Sequence, residues 1–145
     1  MANSRVNFRN CHLLVGGLGL ILFALQGQYM ARVLGVEHLP DASRMMYRSA
    51  HIYFLLVCVT NIGIGYTLSP GAAVNNLQRL VGVIFLCSPA LLVCSFFTES
   101  TASTLERPIA SIALYLTFGA AALLILHDLY RRYRGRSKAA GAERN

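Results

Sequence analysis

The sequence predicts an all-α membrane protein: a bundle of four transmembrane helices with both termini in the cytoplasm. Of its 145 residues, 55% are hydrophobic and 13% are charged, whereas charged residues make up about a quarter of a typical soluble domain. The charges are also clustered, because no Asp, Glu, Lys or Arg occurs in residues 10–31, 49–78, 80–98 or 108–127. Each of these windows is long enough to cross a hydrocarbon core of about 30 Å as a helix. A soluble enzyme, a disordered chain and a coiled coil therefore fit poorly.

The first span is predicted over residues 13–31, after a cytoplasmic segment at residues 1–10. Arg5 and Arg9 precede an apolar stretch, as they would in a signal peptide, but the stretch ends without a convincing small-x-small cleavage site. We therefore expect a retained first span. It opens with the run Gly16-Gly17-Leu18-Gly19, which is typical of a surface that packs closely against another helix.

The second span is predicted over residues 50–68 and ends at the turn signal Ser69-Pro70-Gly71. Its helix is expected to begin earlier, near residue 41. Asp41 or Ser43 can cap a helix N-terminus there, directly after Pro40, and nothing between residue 41 and the span breaks a helix.

Prolines mark the third and fourth spans, which are predicted over residues 80–97 and 109–127. Pro89 lies inside the third span and lacks an N–H group, so we expect a kink and a Phe85 carbonyl without its usual partner. Pro108 is well placed in the first turn of the fourth span. The bundle thus occupies residues 11–130, and the basic tail at residues 131–145 is expected to be disordered.

The distribution of basic residues predicts the orientation. An even number of spans places both termini on one side of the membrane. Nine basic residues belong to that side, namely Arg5, Arg9, Arg79 and the six of the tail. Four belong to the other side, namely Arg32, Arg44, Arg48 and Arg107. The positive-inside rule therefore predicts a multi-pass membrane protein with both termini in the cytoplasm.

The net charge of +7 does not indicate a nucleic-acid-binding protein. Six of the thirteen basic residues follow residue 130, and a basic run directly after a membrane helix is typical of an anchor to anionic lipid headgroups. The four cysteines, Cys11, Cys58, Cys87 and Cys94, form no C-x-x-C pair and are interpreted as buried thiols without disulfides. The expected partners are the lipid bilayer and either another membrane protein or further copies of the chain.

A polar cluster is predicted at the outer end of the bundle. Arg44, Arg48 and His51 lie at positions i, i+4 and i+7, so they share one stripe of the second helix. Ionisable groups near hydrocarbon need partners. The candidates at the same level are Glu99, Glu106, Gln26 and Tyr29. We interpret the cluster either as a clamp that fixes how the second helix docks, or as a binding site for an anionic or quinone-like ligand or a partner protein.

The histidines raise the question of a redox cofactor. His12 begins the first span and His127 ends the fourth, so both are expected at the cytoplasmic boundary on neighbouring helices, as a pair of haem b ligands would be. His51 lies at the opposite end, where nearby methionines also allow copper. The positions at the span ends argue against haem, and no Met-x-x-Met or His-x-His spacing organises a copper site.

Other patterns disfavour chemistry inside the membrane. No Asp or Glu lies within a span, which disfavours a proton-coupled transporter, and no hydrolase, zinc-protease, Walker or dinucleotide motif is present. Asn61 is the most polar residue near mid-span, and hydrogen bonding between helices is its expected role.

The stretch from Arg44 to Tyr53, together with Asn61-Ile62-Gly63-Ile64-Gly65, resembles a pattern of small four-helix bacterial inner-membrane proteins. This resemblance implies a bacterial cytoplasmic membrane and brings no activity with it. The sequence therefore favours a non-enzymatic subunit or scaffold of a membrane assembly. The alternative is a redox or ligand-binding membrane protein that uses His51, Arg44 and Arg48 with haem b, quinone or copper. That alternative predicts a bound chromophore or metal that is lost when His51 or the His12/His127 pair is changed.

Overall fold

The structure is a computed structural model that describes residues 7–69, 75–100 and 106–142, including every side chain of these except 132 and 135–142. The described residues form four long α-helices and one 3-10 turn, which confirms the predicted all-α fold. The helices are α1 (Phe8–Arg32), α2 (Asp41–Thr67), α3 (Asn76–Thr98) and α4 (Pro108–Ala142), and the turn is Val36–His38. Each helix is long and apolar enough to cross a membrane. The structure contains no membrane, so the orientation of the termini stays a prediction.

The predicted spans lie within the four helices except for Leu68, which is the C-cap of α2. The helix ends show where local chemistry sets the boundaries. α2 begins at Asp41, but Pro40 is its N-cap and neither Asp41 nor Ser43 provides a capping hydrogen bond. α3 begins with a capping box: the side chain of Asn75 accepts from Gln78 N at 2.7 Å, and Asn75 N donates to Gln78 Oε1 at 3.1 Å.

The C-terminal segment differs from its prediction. The sequence predicted disorder from residue 131, whereas α4 continues as a helix to Ala142. Extending an existing helix needs no new nucleation, and the Arg, Lys and Ala residues of this segment have high helix propensity. The polar and basic character of these residues is therefore compatible with a continued helix.

Consecutive helices pack antiparallel, with α2 and α3 in the centre of the bundle. α1 packs mainly on α2, and α4 packs mainly on α3. In the described part of the chain, the backbones of α1 and α4 do not come close to each other. The expectation that His12 and His127 lie on neighbouring helices is therefore wrong. α2 and α3 pack on each other and lie between the two outer helices, so α1 and α4 are separated.

The core consists of three small clusters at different depths. The middle one contains Phe54, Val57, Cys58 and Leu92, all at most 1% exposed. Tyr47 and Phe96 pack edge-to-face near the predicted outer end, and Val81 with Phe85 packs on Ala120 near the end that carries the termini.

Glycines allow α1 and α2 to approach closely. A Cβ atom at Gly16 would lie 2.8 Å from the Cys58 carbonyl oxygen and 2.9 Å from the Ile62 backbone nitrogen. A Cβ atom at Gly65 would lie 3.1 Å from the Leu13 nitrogen. The two helices therefore approach closely at two levels of the bundle, at Gly16 and at Gly65. Small residues at helix contacts are the usual source of stability in membranes, where packing replaces the hydrophobic effect.

Candidate functional site

The arginines of the predicted outer cluster pair with nearby carboxylates of their own segment. Arg48 Nη2 donates to Glu37 Oε1 at 2.7 Å, and Arg44 pairs with Asp41 while also donating to the Glu37 carbonyl at 3.4 Å. The expected pairing of these arginines with Glu99 and Glu106 is wrong. The turn at Val36–His38 brings Glu37 back onto the first turns of α2, and the Arg48 side chain is 51% exposed there. Exposed pairs of this kind contribute at most about 1 kcal/mol each.

His51 lies against α1 rather than in an open site. Its Nδ1 atom is 3.0 Å from Gln26 Oε1, and its ring stacks on Phe23 with 3.9 Å between centroids and an interplanar angle of 10°. A Cβ atom at Gly27 would lie 3.4 Å from His51 Nε2, so the glycine makes room for the imidazole. Tyr29 was also predicted for the cluster, but its ring faces Phe97, with 6.1 Å between the ring centroids. These contacts dock the outer half of α2 on α1.

Glu99 caps the N-terminus of α4. Its carboxylate accepts hydrogen bonds from the backbone N–H groups of Ile109 and Ala110, the latter at 3.1 Å, and from the Ser95 hydroxyl one turn earlier. Glu99 is 6% exposed, whereas Glu106 is exposed and forms no ion pair with Arg44 or Arg48. A carboxylate at a helix N-terminus satisfies free N–H groups and interacts favourably with the helix dipole.

Arg107 is a further buried group at this end, and the sequence did not single it out. It donates to the Ser49 hydroxyl of α2, and its Nε and Nη2 atoms are buried without a hydrogen-bond partner among the residues that the structure describes. Burial lowers the pKa of Arg107 from its ordinary value, and the negative charge of Glu99 opposes that shift. The guanidinium stays protonated at neutral pH, as arginine side chains do in proteins.

Removing the Glu99 carboxylate is expected to destabilise the bundle. In Glu99→Ala two N–H groups of α4 lose their acceptor and the buried Arg107 loses the nearest negative charge, so we expect a loss of about 2 kcal/mol. Glu106→Ala is the matched control in the same connection, and its effect should stay within about 0.5 kcal/mol. Unfolding in mixed micelles with increasing SDS measures both. Equal effects of the two substitutions would contradict the capping role.

A second polar network crosses the bundle near the end that carries the termini. Pro89 cannot donate to the Phe85 carbonyl, and the Asn61 side chain takes that place, with Nδ2 at 2.8 Å from Phe85 O. The same Nδ2 group donates to Val57 O at 3.0 Å, within its own helix. Asn61 is fully buried, so it ties α2 to the point where α3 lacks a backbone hydrogen bond.

His12 completes this network from α1. Its Nδ1 atom lies 2.7 Å from Asn61 Oδ1, and its Nε2 atom is buried without a partner. The ring is 0% exposed and packs edge-to-face on Phe8, with centroids 5.0 Å apart. Gly82 of α3 makes this possible, because a Cβ atom there would overlap the Phe8 ring and would lie 3.0 Å from His12 Nε2.

Hydroxyl groups join α3 to α4 at a similar depth. Thr117 Oγ1 lies 2.9 Å from Ser88 Oγ, and the Ser88 hydroxyl donates to the Ile84 carbonyl at 2.8 Å. Together with Asn61 and His12, these groups provide polar contacts between all four helices.

The predicted metal and haem ligands do not come together. Among the residues that the structure describes, no three His, Cys, Asp or Glu side chains are grouped as a metal site. His127 is half-buried on α4, and no described contact joins it to His12. His51 is separated from both, at the opposite end of α2.

The class of protein follows from the fold: four apolar helices of spanning length make the chain a multi-pass integral membrane protein in architecture. No family model, no curated protein and no solved structure matches the chain.

Proposed function

We propose that the protein is a non-enzymatic subunit or scaffold of a membrane assembly and that α1 and α4 carry its contacts with neighbouring chains. The observation that carries this proposal is how little of these helices the chain itself covers. Of the most apolar 18-residue window, 17% is buried in α1 and 22% in α4, against 44% in α3. Most of the apolar surface of α1 and α4 is therefore not covered by the rest of the chain.

Small residues support the use of these surfaces for helix contacts. A Cβ atom added at Gly17 of α1 or Gly119 of α4 would have no described atom beyond its own helical turn within 4 Å, unlike one at Gly16 or Gly65. A glycine that faces lipid contributes no packing, whereas a glycine that faces another helix lets the two backbones approach closely. Ala120–Ala122 extend the small surface beside Gly119.

The outer polar groups support a structural interpretation of that end. Glu99 caps α4, His51 and Gln26 join α1 to α2, and Arg48 is paired with Glu37. Polar groups that form hydrogen bonds within the chain hold the ends of the helices in fixed positions. The proposed subunit therefore offers a rigid outer face to its neighbours.

The location belongs to the same proposal: the inner membrane of a bacterium, with both termini in the cytoplasm. The excess of basic residues on the side of the termini supports it. A fluorescent protein fused to the C-terminus should fold and fluoresce in the cytoplasm, whereas an alkaline phosphatase fusion at the same point should be inactive. An active phosphatase would overturn the orientation.

Bulky side chains at the outward glycines test the subunit role. Gly17→Leu and Gly119→Leu place a side chain where the chain itself has free space, so folding should be retained while the assembly dissociates. Ile52→Phe, at an exposed position of α2, is the control and should leave the assembly intact. Native gels of gently solubilised membranes compare the variants. Unchanged migration of both glycine variants would overturn the proposed contact surfaces.

A further inference from the structure

Exposed arginines mark the end of the bundle that carries the termini. Arg79 lies in the first turn of α3, Arg131 and Arg134 lie on α4, and all three are exposed. Among the residues that the structure describes, none of these three side chains forms an ion pair, whereas two arginines at the opposite end are paired with carboxylates. The positive charge at the end that carries the termini is therefore available to an anionic partner.

Few negative groups oppose this charge in the described part of the chain. Asp128 is the one described carboxylate at this end, and the others lie at the opposite end, namely Glu37, Asp41, Glu99 and Glu106. α1 and α3 both begin at the end that carries the termini, and neither has an acidic residue in its first turn. A helix N-terminus carries about half a positive charge, so these two helix ends add to the arginines, while the C-terminus of α2 offsets one of them. The electrostatic potential at this end is therefore positive.

The three arginines lie at the depth expected for lipid headgroups. The apolar part of α4 that can span a membrane ends at Arg131, and Arg134 follows about 4.5 Å further along the helix axis. The headgroup layer on each side of a bilayer is roughly 5–7 Å thick, so both residues fall at or within it. Val81 and Leu124 pack in one cluster, which places Arg79 about 7 Å less far out than Arg131. An arginine at that level extends its long side chain toward the headgroups.

We propose that this end of the bundle binds anionic phospholipids of the surrounding leaflet, with Arg79, Arg131 and Arg134 donating to the oxygens of their headgroup phosphates. The planar guanidinium matches the geometry of a phosphate and donates two parallel hydrogen bonds to it. Arg131 and Arg134 are three residues apart, so they share one face of α4 and can contact the same headgroup. A zwitterionic lipid has the same phosphate but carries a cation beside it, which these arginines repel. The inference does not depend on the proposed subunit role, which rests on the apolar faces of α1 and α4.

The experiment measures the lipid preference of the full chain in an uncharged detergent. The protein is titrated with phosphatidylglycerol, which is anionic, or with phosphatidylcholine, which is zwitterionic and carries the same acyl chains. Native mass spectrometry resolves the lipid-free chain from the chain with one bound lipid, which gives the dissociation constant of the first lipid. Phosphatidylglycerol should bind roughly fivefold more tightly, since that is the factor expected for one basic residue beside an anionic lipid surface.

Two double variants with the same change in net charge separate this surface from positive charge in general. Arg131→Gln, Arg134→Gln removes two exposed arginines of α4 and should lower the preference to below about twofold. Adding Arg79→Gln should lower it further. Arg44→Gln, Arg48→Gln removes two arginines that are already paired at the opposite end, and it should leave the preference unchanged.

A charge-conserving variant separates lipid binding from folding. Arg131→Lys, Arg134→Lys keeps both positive charges and should retain most of the preference for phosphatidylglycerol, because lysine also binds phosphate. Equal affinity of the parent protein for the two lipids would overturn the inference and would leave the arginines to an acidic partner in solution. An equal loss in the two glutamine double variants, or a preference retained in Arg131→Gln, Arg134→Gln, would also overturn it.

Discussion

Asn61→Leu is expected to destabilise the bundle by about 2 kcal/mol. An average interhelical hydrogen bond in a membrane protein contributes about 0.6 kcal/mol. This substitution costs more because it leaves two buried polar groups without a hydrogen-bond partner. The Phe85 carbonyl loses its donor and His12 Nδ1 loses its acceptor. Thr60→Ala is the control on the same helix. The Thr60 hydroxyl donates to Leu56 O of its own helix and to nothing else in the described part of the chain, so its cost should stay below about 0.5 kcal/mol.

A double-mutant cycle with Pro89→Ala tests the physical reason for that cost. Alanine at position 89 has an N–H group that can donate to Phe85 O. In the Pro89→Ala protein, Asn61→Leu therefore leaves only His12 Nδ1 without a hydrogen-bond partner. The cost of Asn61→Leu should then fall to about half of its value in the parent protein. SDS-induced unfolding in mixed micelles measures all four proteins. The same cost in both backgrounds would show that Asn61 does not compensate for the proline.

The second large effect is expected for Gly16→Ala, at the closest approach of α1 and α2. The added Cβ atom would meet backbone atoms of Cys58 and Ile62 within 3 Å, and backbone cannot rotate out of the way as a side chain can. We expect a loss of about 2–3 kcal/mol, at the upper end of the usual cost of overpacking.

Gly63→Ala is the matched control for this prediction. It makes the same chemical change on the partner helix, at a position with no other described atom within 4 Å of the new Cβ. Its effect should remain within about 0.5 kcal/mol in either direction, since helix propensity favours alanine slightly. If the two glycine variants unfold at the same SDS fraction, the close contact between α1 and α2 is not as the structure has it.

The fold could be predicted because it depends on local sequence. Four charge-free windows of spanning length require four helices, since every backbone group inside a membrane must be hydrogen-bonded within the chain. The Phe85 carbonyl could also be identified, because Pro89 removes its donor whatever surrounds it. Asn61 could be noted as a mid-span amide, but its partner depends on how α2 is rotated against α3. One sequence does not specify that rotation.

The polar contacts were harder to predict for the same reason. Helical spacing places Arg44 and Arg48 on one stripe, yet their partners depend on the turn at Val36–His38, which returns Glu37 to that stripe. Glu99 was expected to pair with arginine, and it instead reaches the first free N–H groups of α4. His12 was considered only as a haem ligand, because the sequence does not show that Asn61 orients its ring or that Gly82 admits it.

The mass of the protein released directly from its own membranes shows whether the chain is a subunit of a larger complex. Native mass spectrometry of membrane vesicles, without prior detergent extraction, reports the chain together with whatever it is bound to. The subunit role predicts a discrete complex in which the 15.9 kDa chain is bound to further protein, and loss of that complex in the Gly17→Leu, Gly119→Leu double variant. A 15.9 kDa monomer that carries only lipid would contradict it.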